Sequence, residues 1–248
     1  MQPLHVQLFD LTLIQLTNWR WSWRASVIVS VIAPVFMIVV LSVFAGDDNP
    51  EVLGYVLTGN MVLTLLMEGV NKVSGHFMFI RTNGTLDYFA SLPVYRISII
   101  LATVGAFLVL SLPAVIATLA IGTAILGLPL NINPMIVVVV PLISISLSGL
   151  GAIIGLLARN PAETSSFGLL ISMFLFGFGP VLYPVDRFPE IISTLSLLSP
   201  ATYAASALRQ VVLGMPDRIP LTVDIAVLAG IAVVLLWVVN SRIEWRGR

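Results

Sequence analysis

The chain has no cysteine, one lysine and two histidines, and only 10% of its 248 residues carry charge. Each scarcity removes a class of chemistry. Without cysteine there is no disulfide, no thiolate nucleophile and no thiolate metal site, and the redox state of the compartment leaves no trace. His5 and His76 stand far apart with no neighbours at ligand spacing, so neither a metal site nor a catalytic residue is expected. A Walker loop ends in Gly-Lys-Ser or Gly-Lys-Thr. The only lysine, Lys72, lies between Asn71 and Val73, which excludes an internal ATPase. Twelve basic and twelve acidic residues balance, and no basic cluster exceeds the one from Arg242 to Arg248, so nucleic acid has no electrostatic footprint to meet.

A soluble domain of this length would carry roughly a quarter charged residues. Here 58% of residues are hydrophobic, the mean hydropathy is +1.04, and the 62 residues between Arg96 and Arg159 include no charge. As one helix that stretch would be about three bilayer cores long, so it has to fold back. The composition predicts an all-α polytopic membrane protein.

Six transmembrane helices are predicted: Ala25 to Gly46, about Val52 to Lys72, Ile97 to Leu126, Ile136 to Ala158, about Ser165 to Leu182, and Leu221 to Asn240. Gly127 to Pro134 forms the turn between the third and fourth. The first span is entered through Trp19, Arg20, Trp21, Trp23 and Arg24, side chains suited to the headgroup level. It is too long for the core of a signal peptide and the extreme N-terminus has no basic segment, so it is expected to be retained. Gln2 to Asn18 mix apolar and polar positions without a clean stripe, and residues 1–24 are expected to form an interfacial helix leading into the first span rather than a disordered tail. Ile191 to Leu208 is uncharged but only 18 residues long and contains Pro200, so it reads as one or two short re-entrant helices rather than a seventh crossing.

Six crossings place both termini, the Lys72 to Arg96 loop and the Arg159 to Glu163 loop on one side. That side collects nine basic residues: Arg20, Arg24, Lys72, Arg81, Arg96, Arg159, Arg242, Arg246 and Arg248. The other side has three, Arg187, Arg209 and Arg218. The bias puts both termini in the cytoplasm, and a seventh crossing would reduce it to six against six.

Within the spans, Glu68 and Lys72 are spaced i, i+4 near the cytoplasmic end of the second, with Asn71 between them. There they can pair and snorkel; a lone charge at midplane costs about 2.5 to 3.5 kcal/mol. They read as a structural pair at the interface or, in an ion-coupled secondary transporter, as the coupling groups. Ser144, Ser146, Ser148, Thr164, Ser165 and Ser166 are the other polar candidates for a pathway lining, which favours amphipathic or lipid-like cargo. In the cytoplasmic loop Gly84 breaks the chain, Thr85 can cap a helix, and Asp87 falls in the first turn. Leu86, Phe89 and Ala90 share a face, and Pro93 stops the helix near Leu92. This two-turn helix is either a docking element or an interfacial turn on lipid headgroups. After the fifth span, Phe188-Pro189 ends an extended entry and Pro200 can occupy the first position of a helix. Tyr203 and Arg209 would then be anchors at the outer headgroup level.

The sequence Pro200-Ala201-Thr202-Tyr203 followed by Arg209, with Phe188-Pro189, Gly177, Gly179 and Pro180 upstream, resembles the signature of the membrane subunits of type-2 ABC transporters, exporters of drugs, polyketides, lipids and polysaccharides. The loop from Arg81 through Gly84, Thr85, Leu86, Asp87, Tyr88, Phe89 and Ser91 to Pro93 is similar to the family's coupling-helix loop. Ala201 departs from the pattern, where a larger residue is usual. The resemblance implies a permease of a single transmembrane domain, without enzymatic activity of its own, in the inner (plasma) membrane. Two copies, identical or related, would enclose the pathway. Each would take an ABC ATP-binding subunit at residues 81–96; ATP and Mg would bind on that partner, and no cofactor on this chain. Residues 1–24 would be a connecting helix, and residues 184–213 paired outer re-entrant helices shielding the exit, with Phe188, Pro189, Pro200, Tyr203 and Arg209 as an outer gate. An ion-coupled secondary transporter and a membrane anchor for a signalling ATPase are the competing readings.

Overall fold

Lipid offers no hydrogen bonds, so a chain this poor in charge must satisfy its backbone internally, and helices do so segment by segment. The computed structural model describes residues 3–18, 23–45, 50–91, 94–182 and 194–242, and every regular element among them is helical. In order these are α1 (Leu4–Asn18), α2 (Trp23–Ala45), α3 (Pro50–Leu66), α4 (Val73–Thr82), α5 (Thr85–Ser91), α6 (Arg96–Leu126), α7 (Ile136–Leu157), α8 (Pro161–Phe178), α9 (Pro200–Leu208) and α10 (Leu221–Arg242). One π-helical turn, Met67–Lys72, joins α3 to α4, and another, Arg209–Leu213, extends α9.

Among the described residues, four rods are long and apolar enough to cross a membrane: the continuous α3–α4 run, α6, α7 and α10. The ends expected for the third, fourth and sixth spans agree with α6, α7 and α10 to within two residues. Two other boundaries differ. The second span does not stop at Lys72 but runs 33 residues from Pro50 to Thr82, about 50 Å. Its apolar face continues past the polar pair, with Val73, Phe77 and Ile80 packed among Phe107 of α6 and Ala152 of α7. The fifth helix starts at Pro161 rather than Ser165. Asn160 caps it by accepting from Glu163 N at 2.8 Å, and Glu163 Oε2 reaches back to Arg159 N, one residue before the cap, at 2.8 Å, a variant of the capping box with proline at the first helical position.

The core centres on α3. Leu57, Met61, Leu65 and Leu66 are sealed among Ile38 of α2, Ile143 and Leu147 of α7, Leu208 of α9 and Leu228 of α10. A helix apolar on all sides belongs in the middle of a bundle. Where α7 crosses the π turn the two backbones touch: a Cβ on Gly151 would lie 2.7 Å from Val70 O, and one on Gly155 would lie 2.8 Å from Phe77 Cβ and collide with Ser74 O. At the opposite end α6 closes on Gly127 at φ +64°, and the turn after it bonds to the second π turn through Asn131 N to Val212 O (3.0 Å) and Asn133 N to Val211 O (2.7 Å).

Candidate functional site

Three groups of polar residues lie along the α3–α4 rod, one at each end and one between. At the α4 end, Gly84 takes φ +69° and its carbonyl accepts from Tyr88 N at 3.3 Å. Thr85 is the first helical residue of α5, so the capping position falls on Gly84 rather than on Thr85. Phe89 is 5% exposed and packs on Leu11 of α1 and on Ile99 and Ala102 of α6. Its neighbour Tyr88 is 62% exposed. Ser91 Oγ donates to Tyr88 O at 2.7 Å. The side chains of Leu86, Asp87 and Ala90, and residues Leu92 and Pro93, lie outside the described ones.

The helix expected within residues 1–24 forms as α1, against α6. Its inner face is Gln7, Leu11 and Gln15, spaced i, i+4, i+8. Gln7 Oε1 accepts from Tyr95 N (3.1 Å) and Ser98 Oγ (3.2 Å), and Gln15 Nε2 donates to Thr103 Oγ1 (3.4 Å). The outer face carries exposed Leu4, Phe9, Leu13 and Ile14. Amides inside and apolar side chains outside is the reverse of a soluble helix, and it suits a helix lying on lipid.

In the middle group Glu68 is buried. Its Oε1 accepts from Lys72 Nζ at 2.5 Å and from Ser30 Oγ of α2, and Lys72 Nζ also lies 3.0 Å from Ser30 Oγ. Asn71 Nδ2 donates to Ser172 Oγ of α8 at 3.0 Å. The π turn thus holds α2 on one side and α8 on the other through two serines that sequence reasoning did not single out. Beside it a cavity of about 420 Å³ opens between α2 and α3, walled by Val29, Ala33, Pro34, Leu63 and Met67 and ending at Lys72. Ser144, Ser146, Ser148 and Thr164 are buried inside the chain, with Ser146 Oγ 2.9 Å from Leu228 O of α10. Ser165 and Ser166 are exposed and bond back to carbonyls of their own helix.

The third group lies at the other end, where α9 is buried along its whole length. Pro200 stands at the start of the helix, as expected from the sequence, and Ser199 Oγ caps it by accepting from Ala201 N at 3.3 Å. The small side chain of Ala201 is fully buried. Tyr203 Oη donates to Leu197 O at 2.7 Å. Arg209 corrects an expectation: it is not a headgroup anchor. It is 3% exposed, its Nη2 and Nε lie 2.6 and 2.9 Å from Asp217 Oδ2, and its guanidinium stacks 4.0 Å over the Tyr55 ring of α3. A buried guanidinium requires such a partner, and the chain reversal after Gly214, at φ +66°, supplies it. Phe188 and Pro189 lie outside the described residues. α9 and its π turn together span 14 residues, about 21 Å, too short for a crossing.

A family model described as ABC-2 type transporter matches residues 6–213. The chain belongs to the ABC-2 type transporter family. The match takes in all three polar groups except Asp217. The chain is 24% identical over 190 residues to the "Probable multidrug ABC transporter permease YbhS" of Escherichia coli (strain K12), and equally to the protein of that name in Escherichia coli O157:H7. Each alignment takes 73% of this chain and 50% of the relative, so the chain spans about half the length of the curated relatives it matches. As an ABC-2 chain with long apolar helices it is a membrane protein.

The ABC-2 bundle also contains a carboxylate that sequence reasoning passed over. Asp224, in the first turn of α10, is fully buried and accepts from Ser206 Oγ (2.7 Å) of α9 and Gln210 Nε2 (2.9 Å) of the π turn after it. A charge inside the predicted sixth span was the available signal. Between α9 and the loop to α10 a cavity of about 210 Å³ is lined by Thr202, Ser206, Arg209, Asp217 and Arg218, among others.

Proposed function

We propose that this chain is the membrane-spanning permease subunit of an ATP-driven ABC exporter, moving an amphipathic or lipid-like substrate such as a drug, lipid or glycolipid. The observation that carries the reading is α5 in an ABC-2 chain: a short helix fixed to the bundle by Phe89 while Tyr88 is left 62% exposed beside it. A surface held rigidly from behind and bare in front suits a separate ATP-binding subunit, on which ATP and Mg would bind. The names of the Escherichia coli relatives support a multidrug substrate range. The 420 Å³ cavity with its apolar walls suits such cargo.

In this reading α2 and α8, of 23 and 18 residues, add two crossings to the four long rods. At about 1.5 Å per residue they reach about 35 and 27 Å, near the thickness of a bilayer core. Six crossings put both termini and α5 in the cytoplasm and α9 at the outer face of the inner membrane, with α1 as the connecting helix and residues 184–213 as the outer re-entrant segment. A second permease copy, identical or related, completes the pathway.

Reconstitution tests this. The chain in proteoliposomes should be inert under proton and sodium gradients, and should move substrate when its ATPase subunit and MgATP are added. Gradient-driven transport by the chain alone would establish the secondary transporter instead, with Glu68 and Lys72 as its coupling pair. Stimulated ATP hydrolysis with no vectorial movement, across a broad substrate panel, would mark a membrane anchor for an ATPase.

A further inference from the structure

A partner that moves α5 acts on α1 and α6 through Phe89; among the described residues, the apolar cluster around that side chain includes none from α7 or α10. Arg81, in the last turn of α4, supplies a connection. Its guanidinium leaves its own helix and donates to the carbonyls that end α7: Nη2 to Ala158 O at 2.5 Å and Nη1 to Leu156 O. Those carbonyls have no successor turn to bond to, and a cation at a helix C-terminus is favoured by the helix dipole. The planar fork of arginine fits two carbonyls at once.

The cap ends a longer interlock. Gly69 and Gly151, then Ser74 and Gly155, bring the two backbones into contact. From Gly69 to Arg81 is 12 residues, about 18 Å of shared length. Backbones packed this closely have low compressibility and transmit strain from one to the other. Arg81 stands three residues before Gly84, which alone takes a positive φ between the rod and α5. Beyond α7, Ser146 reaches the Leu228 carbonyl of α10.

We propose that Arg81 is a positioning residue that fastens the α5 end of the chain to α7, so that a displacement of α5 is delivered to the α7–α10 half of the bundle as well as to α1 and α6 through Phe89. The transport consequence rests on the permease reading; the mechanical link does not. These 248 residues include no cysteine, so spin labels can be placed at Tyr88→Cys and Ala162→Cys, both exposed positions on either side of the cap. In nanodiscs the unchanged background should give one narrow distance distribution. Arg81→Met, which keeps the aliphatic stem, should broaden it, and Arg81→Lys, which can still donate to one carbonyl, should restore part of the narrowing. An unaltered distribution in Arg81→Met overturns the proposal.

With the ATPase subunit added, Arg81→Met should lose substrate transported per ATP hydrolysed several-fold while the amount of assembled complex stays near that of the parent. A purely structural role would lower the amount of complex and leave that ratio alone, and this result would also overturn the proposal. If the distributions behave as expected but no ATPase stimulates transport by the parent chain, the permease reading fails and the Arg81 link stands.

Discussion

Arg209 and Asp217 form a buried ion pair, with Nη2 and Nε of the guanidinium at 2.6 and 2.9 Å from one carboxylate oxygen and the Tyr55 ring behind. Their side chains are 4% and 10% exposed. Breaking a buried pair from one side strands a charge and is expected to destabilise by about 3 to 5 kcal/mol, whereas removing both charges leaves nothing to desolvate. Arg209→Met should therefore lower the thermal midpoint in detergent sharply, and Arg209→Met combined with Asp217→Asn should recover a large part of the loss. Additive losses in the double variant would show that the two residues act separately.

Glycines along the α4–α7 contact should divide by what a methyl group would meet. A Cβ on Gly151 faces main-chain atoms, Val70 O at 2.7 Å and Val70 Cα at 3.1 Å, which cannot rotate away. Gly151→Ala should destabilise by about 1 to 3 kcal/mol, the range for overpacking. Gly75 lies within α4, and a methyl group there would meet nothing within 4 Å, so Gly75→Ala should be neutral or stabilise by up to about 1 kcal/mol. Thermal unfolding of the two variants side by side checks the contrast.

Tyr88 and Phe89 are adjacent, and their substitutions should separate docking from folding. Phe89 is packed between α1 and α6, so Phe89→Ala should open a cavity and destabilise by about 3 to 5 kcal/mol. Tyr88→Ala removes an exposed ring, and should leave stability nearly unchanged while abolishing substrate-stimulated ATP turnover in the complex with the ATPase. Normal stimulated turnover in Tyr88→Ala would remove Tyr88 from the docking surface.

The parts of the fold that were legible in the sequence are those set by long uncharged runs. The uncharged run between Arg96 and Arg159 is too apolar and too long to stay in water as one helix, and two helices joined at Gly127 were the direct reading. The second span was cut short because Glu68 and Lys72 resemble an interfacial end; bonded to each other and to Ser30 they are cheap enough to lie mid-rod. The start of α8 was readable in Asn160-Pro161-Ala162-Glu163, a capping box outweighed by the charge on Glu163. The amphipathicity of α1 was obscured because its inward residues are Gln7 and Gln15, polar groups satisfied by α6. No local pattern could join Arg209 to Asp217, since their meeting depends on the reversal after Gly214, nor bring Arg81 to Ala158, 77 positions away.

Topology can be read from single cysteines placed in the native cysteine-free background. Leu198 is 80% exposed and precedes α9, which packs on the α3 end of the α3–α4 rod; Tyr88 follows the α4 end, about 50 Å away along the rod. Three predicted crossings, α6, α7 and α8, separate the two positions. A membrane-impermeant maleimide applied to intact cells should modify Leu198→Cys, whereas Tyr88→Cys should react only after permeabilisation. Ser241→Cys, exposed at the end of α10, decides whether α9 crosses the membrane. If α9 enters and leaves on the same face, four crossings separate Ser241 from Tyr88 and the two react alike. If α9 crossed, the number would be five and Ser241→Cys would react in intact cells. The length of α9 with its π turn, about 21 Å against a bilayer core of about 30 Å, sets the expectation that Ser241→Cys stays protected.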